Sequence, residues 1–291
     1  MLRKALHIAL LITISANLFG QNALNFHSDY EKKVLTDFIN NTDIPSTLEL
    51  QLIVDRNINE FEAKNALNNY NSLLTTLKSK KETTKSEATF LSWMFYKVHR
   101  KALKNYNQYV TLAETLNNGN YDCLTATSLY AQLLTDLGFK PEVIETTYHI
   151  YLKVFSNGQP ILFESTDPIN GFIVGEREIA ERTREYAQEE NNLSNYYSFN
   201  NKFNESLELI KLTGLQYFNI AVFAYNSKHL IETVDLLEKA SIFYQSDRIT
   251  EFGIVLANAI SNDSEISSEE KNQSLHRVAD FIKVGNTLAS R

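Results

Sequence analysis

The sequence predicts an α+β fold, and three observations carry that prediction. Apolar residues recur at helical spacing on both sides of the chain's centre. One strong helical run, Cys123 to Leu137, sits between them. Short strand-like runs follow it, two of them joined by Asn157-Gly158, a two-residue hairpin signal.

In chain order, "MLRKALHIALLITISANLFGQ" reads as a signal peptide, residues 1–20. Arg3 and Lys4 precede a short apolar run, and Gly20 marks a cleavage point. An uncleaved anchor helix is the other use of the same residues. No cysteine follows the run, so a bacterial lipid anchor is not indicated. After Gln21 no stretch of 18 apolar residues occurs, so no transmembrane segment is expected there. The expected location is periplasmic or secreted.

From Asp29 to about Tyr109 the pattern is helical, with Ser86 as a cap and "KSKKETTKSE" as an exposed loop. Cys123 opens an amphipathic helix: Ala126, Leu129, Tyr130, Leu133, Leu134 and Leu137 form its apolar stripe. Asp122 supplies N-cap chemistry and Gly138 the stop. "PEVIETT", "HIYLKVF" and "ILFE" are the strands. A two-residue turn at Asn157-Gly158 pairs Phe155 with Pro160 and Lys153 with Leu162. That register puts His149 and Glu164 on one sheet face as diagonal neighbours and Asp167 on the other. A three-residue loop would reverse the parity and favour Asp167. Helix resumes at Glu176. "NNLSNYYSFNNKFN" reads as an irregular connection, and helix follows from Ser206 to the end. "LQYFNIAVFAYNSKHLIETVDLLEKASIFYQ" is a helix–turn–helix pair, either a plain hairpin or a tetratricopeptide-like unit with small residues Ala221 and Ala240.

The 291 residues suffice for one large domain or two small ones, and 43% hydrophobic content supports a substantial core. A net charge of −7 without a basic stripe argues against nucleic acid. Six scattered histidines give no zinc pattern, and no phosphate loop, dinucleotide fingerprint or Gly-x-Ser-x-Gly elbow occurs. "SNDSEISSEE" lacks calcium-loop spacing. No metal or organic cofactor is expected.

The single cysteine of the chain is Cys123, at a helix start, where free N–H groups and the macrodipole favour a thiolate. A histidine opening the next hairpin and an acid closing it complete the parts of nucleophilic thiol chemistry.

"GNYDCLTATSLYAQLLTDLGF…YHIYLKVFSNGQPILFEST" resembles the transglutaminase-like superfamily, relatives of the papain-type cysteine proteases. The resemblance covers about residues 104–171. Cys123 matches the nucleophile, His149 with Tyr151 the His-x-aromatic motif, and Glu164 falls where the family has Asp. Gly119 stands four residues before Cys123, further than the family pattern prefers. The resemblance implies a cysteine domain within 21–190, core 104–171, followed by an α-helical region, 205–291. It implies acyl transfer on a peptide or amide bond, hydrolysis before crosslinking, by a Cys123–His149–Glu164 triad with Asp167 in reserve. The expected partners are a peptide or protein substrate and a protein held by the C-terminal helices. Two other roles fit the same residues: a degenerate domain that only binds protein, and a redox sensor that pairs Cys123 between chains.

Overall fold

The computed structural model describes residues 24–146, 149–193 and 206–289. The signal peptide expected at 1–20 lies outside the described residues, as does residues 194–204 of the Asn-rich connection. The architecture mixes helices with one five-stranded antiparallel sheet, as an α+β fold requires.

Four helices lead in: α1 Asp29–Asn40, α2 Thr47–Leu52, α3 Glu60–Thr83 and α4 Glu87–Ala102. Side chains of Ser28, Ser46, Asn59 and Ser86 cap them. The stretch expected as a polar loop is mostly helix, since α3 runs on to Thr83. Polar residues with good helix propensity kept the helix going, and tertiary contact fixed it. Lys81 Nζ donates to the Leu137 carbonyl at 2.5 Å, and its ammonium lies over Phe139.

A parallel ladder of β1 (Asn105–Tyr106) and β2 (Asn120–Tyr121) brackets α5, Leu112–Asn118. Gly119 ends α5 at φ +80°, a left-handed position that glycine adopts without strain. Helix α6, Cys123–Asp136, follows at once. It was expected to be amphipathic, but every residue from Leu124 to Leu134 is buried. Helices α3 and α4, the sheet and the C-terminal helices surround it, so Thr125, Thr127 and Ser128 are enclosed as fully as the leucines.

The sheet order is β6-β5-β4-β3-β7. Its strands are β3 Glu142–Glu145, β4 Ile150–Ser156, β5 Gln159–Phe163, β6 Phe172–Val174 and β7 Ser206–Leu207. The β4–β5 register is the expected one: Phe155 faces Pro160 and Lys153 faces Leu162. Asn157 and Gly158 both take positive φ, 51° and 79°, as the tight hairpin demands. Ile150, Leu152 and Val154 face α6 and the main core. Tyr151 and Leu162 point to the opposite face, which α7 (Glu176–Leu193) covers through Ile179. Ser206–Leu207, expected as helix, is instead an edge strand paired with β3.

Two helical hairpins complete the chain: α8 Lys211–Asn226 with α9 Leu230–Phe243, and α10 Asp247–Asn262 with α11 Ser268–Ala289. Packing crosses the boundary expected between 190 and 205. Val34 and Leu35 of α1 belong to the core of these C-terminal helices, while Leu212 and Leu215 of α8 enter the main core. A buried ion pair reinforces the exchange. Glu31 Oε1 accepts from Lys239 Nζ at 2.7 Å and Tyr217 Oη at 2.9 Å, and Glu31 Oε2 from the His27 amide at 2.5 Å.

Removing one member of such a pair strands a buried charge, at roughly 3–5 kcal/mol. Lys239→Met is expected to lower unfolding stability by about that much, read from urea midpoints, and Glu31→Leu with Lys239→Met to restore most of it. A second expectation concerns His99, whose two ring nitrogens are buried without a hydrogen-bond partner among the described residues. Burial, against the opposing charge of Asp167, pushes its pKa down from 6.5 to about 4. The unfolded chain therefore takes up the proton first. Stability should fall as the pH drops from 6.5 toward 4, by roughly 3 kcal/mol, and His99→Leu should flatten that limb of the denaturation profile.

Candidate active site

The site forms where the N-terminus of α6 meets the open end of the β4–β5 hairpin. Asp122 caps α6: its Oδ1 accepts the Thr125 amide at 2.8 Å, and Thr125 Oγ1 accepts the Asp122 amide at 3.1 Å. The other oxygen of Asp122 accepts from Asn219 Nδ2 of α8 at 3.0 Å. The start of the cysteine helix is thus held from within and from the C-terminal helices.

Residues 164–166 divide three tasks. Glu164 Oε2 lies 2.6 Å from His149 Nε2. Ser165, fully buried, meets Thr127 Oγ1 at 3.0 Å and donates to the Cys123 carbonyl at 3.4 Å. Thr166 turns back, its amide and hydroxyl reaching Glu164 Oε1 at 3.1 and 2.6 Å. Thr127 also donates to the Ile150 carbonyl at 3.3 Å, which ties α6 to the strand that follows His149. Gly171 closes this acid loop. Its carbonyl accepts the Glu164 amide at 2.8 Å, and a Cβ there would collide with the carbonyls of Glu164 and Asp167.

The His149 backbone is fixed in turn. Its carbonyl accepts the Thr146 amide at 2.8 Å, and its amide donates to Thr146 Oγ1 at 3.0 Å. From α10, Arg248 donates to the Thr146 carbonyl at 2.9 Å and pairs with Glu145.

The structure joins His149 to Glu164 and brings Cys123 to the same end of the sheet. Among the described residues no hydrogen bond links Cys123 Sγ to the imidazole. Among the described residues Asp167 makes no hydrogen bond to His149. Its carboxylate pairs with Arg182 at 2.9 Å and accepts the amides of Ile169 and Asn170. Tyr186 and Asn219 escaped the sequence. The Tyr186 hydroxyl donates to Glu164 Oε2, and its ring lies 4.7 Å from that of His149. Its phase, seven residues after Ile179 on α7, was the one available signal.

Burial works against the Glu164 anion, but the bonds from His149, Thr166 and Tyr186 outweigh it and hold the carboxyl at about 2. An ionised carboxylate only accepts, so the bond to Glu164 puts a proton on His149 Nε2 and leaves Nδ1 as the ring nitrogen not committed to the acid. Cys123 behaves oppositely to the thiolate expected from its helix position. Burial first, then the charges of Asp122 and Glu164, push its thiol up to about 12. The amides of Leu124 and Cys123 pull the other way and lose. Among the described residues, no group of three or more His, Cys, Asp or Glu is placed to hold a metal ion. No described helix is long and apolar enough to cross a membrane.

Because the Glu164 pKa is depressed below its ordinary 4.5, its contribution is complete above that pH and is lost as pH falls toward 2. The difference is worth roughly 3 kcal/mol. Glu164→Gln should remove this limb from the acid-denaturation curve while leaving the His99 limb between 6.5 and 4 in place.

Matched against known protein families, curated proteins and solved structures, the chain finds no counterpart in any of the three.

Proposed function

We propose that this chain is an exported, transglutaminase-like cysteine acyl-transfer enzyme that hydrolyses a peptide or amide bond. One observation carries the assignment: a buried carboxylate fixes an imidazole at 2.6 Å, and Ser165, its neighbour in the chain, bonds the carbonyl of a helix-opening cysteine.

In this chemistry Cys123 Sγ attacks the substrate carbonyl carbon as His149 Nδ1 takes the thiol proton. The amides at the start of α6 stabilise the oxyanion. The intermediate collapses, the C–N bond breaks, and the imidazolium gives its proton to the departing amine. Water then attacks the thioester, delivers a proton to His149, and releases the acid and the thiol. Glu164 orients the imidazole and stabilises its charged form. With the thiol held up near 12, proton removal accompanies attack rather than preceding it.

That raised thiol also favours a second reading, in which the domain is catalytically silent. The C-terminal helices would then hold a protein partner, and Cys123 would be a packing residue.

Iodoacetamide alkylation of Cys123 separates the two. If the site is catalytic, His149→Ala should slow labelling at neutral pH by about 100-fold, the lower end of what a positioned base contributes. Labelling that is slow in the wild type and indifferent to His149 would sink the enzymatic assignment and leave the binding one.

A further inference from the structure

We propose that Tyr186 is a positioning residue of the same site: it locks the carboxylate of Glu164 and the ring of His149 into one working geometry. The proposal rests on the catalytic assignment of Cys123, His149 and Glu164.

The first observation is the donor count on Glu164. A carboxylate offers about four acceptor positions. Oε1 takes the amide and the hydroxyl of Thr166, and Oε2 takes His149 Nε2 and the Tyr186 hydroxyl. All four are used, so the carboxylate cannot rotate without breaking a bond. The second observation is the ring arrangement. Tyr186 lies 4.7 Å from the His149 ring and 5.5 Å from Tyr151, while His149 and Tyr151 are 6.3 Å apart. The imidazole is therefore flanked as well as hydrogen-bonded. The third is the side-chain length. Glutamate has one more rotatable bond than aspartate, and the two extra side-chain donors are what the longer arm needs to be held still.

Tyr186 reaches the site from α7, which covers the far face of the sheet through Ile179. The charged and titratable groups around it are Glu164 after β5, His149 and Tyr151 at β4, and Arg182 on its own helix, which pairs with Asp167. Removing the hydroxyl leaves Glu164 Oε2 with one donor. The carboxylate is then free to turn, so it orients the imidazole less firmly and the rate of any His149-dependent step changes.

The test is the pH profile of iodoacetamide alkylation at Cys123 in the full chain, with thermal melts run alongside. Tyr186→Phe keeps the ring and the packing. It should slow alkylation at neutral pH by about tenfold, the size of one lost charge-assisted hydrogen bond, and change the pH profile of the rate. In a Glu164→Gln background the same substitution should change the rate less than twofold, because the hydroxyl acts through that carboxylate. Three results would overturn the proposal. Tyr186→Phe could match the wild type in rate and profile while His149→Ala is slow; the catalytic assignment then stands without Tyr186. Rate and melting temperature could fall together with the profile unmoved, which marks a structural role only. Wild-type labelling could ignore His149, in which case the catalytic assignment fails and takes this inference with it.

Discussion

A buried carboxylate must be given donors, and in this chain the search for donors for Glu164 organises the site. An unpaired anion at that depth would be neutralised or expelled. The carboxylate is satisfied by three separate pieces of structure: the residue before β4, its own loop at Thr166, and α7 at Tyr186. Each donor comes with its element. Meeting the need of one side chain therefore fixes the hairpin mouth, the acid loop and the helix on the far face in a single arrangement. The close approach at Gly171 is part of the same demand, since the loop can turn back on Glu164 only where no Cβ intervenes.

The cysteine end is held by a different body of the protein. Asn219 grips the cap of α6, and Arg248 and Tyr244 hold Thr146 and Glu145 at the end of β3. Asn219 and Arg248 lie on α8 and α10, and Tyr244 follows α9 directly. Those helices are in turn tied to the N-terminal α1 by the Glu31–Lys239 pair. The helical region is thus a brace for the site on the sheet, and the two apolar cores share α2 and α8 rather than meeting at a linker.

What the sequence revealed was local. The register of β4 on β5 followed from Asn157-Gly158 and strand parity, and it placed His149 beside Glu164 instead of Asp167. The cap at Asp122 and the stop at Gly138 are written in neighbouring residues. What stayed hidden acts at a distance or without a pattern. Asn219 lies 97 residues from the aspartate it holds, and Tyr186 lies 22 residues from Glu164 on a separate element. β1 and β2 are two residues each, too short for alternation to show. The run through Lys80 and Lys81 looked like a loop because it is polar, yet polarity reports exposure, and lysine and glutamate are sound helix formers. The all-round burial of α6 was hidden because a threonine can be enclosed when its hydroxyl finds a partner on a neighbouring element, as Thr127 does at Ile150 and Ser165.

The state of the thiol follows first from burial and then from a competition of charges. A helix start offers about half an elementary positive charge, whereas Asp122 and Glu164 bring full negative ones to Cys123. The macrodipole loses, and the sulfur rests protonated. The same carboxylate acts on the other end of the proton's path with greater force. Glu164 sits 2.6 Å from His149 Nε2 and makes no hydrogen bond to Sγ among the described residues. Coulomb energy falls with distance, so Glu164 stabilises the imidazolium more than it penalises the thiolate. Moving the proton from Cys123 to His149 is therefore favoured by the acid that raises the thiol pKa when the imidazole is neutral. A thiol placed this way stays protonated until a base can take its proton.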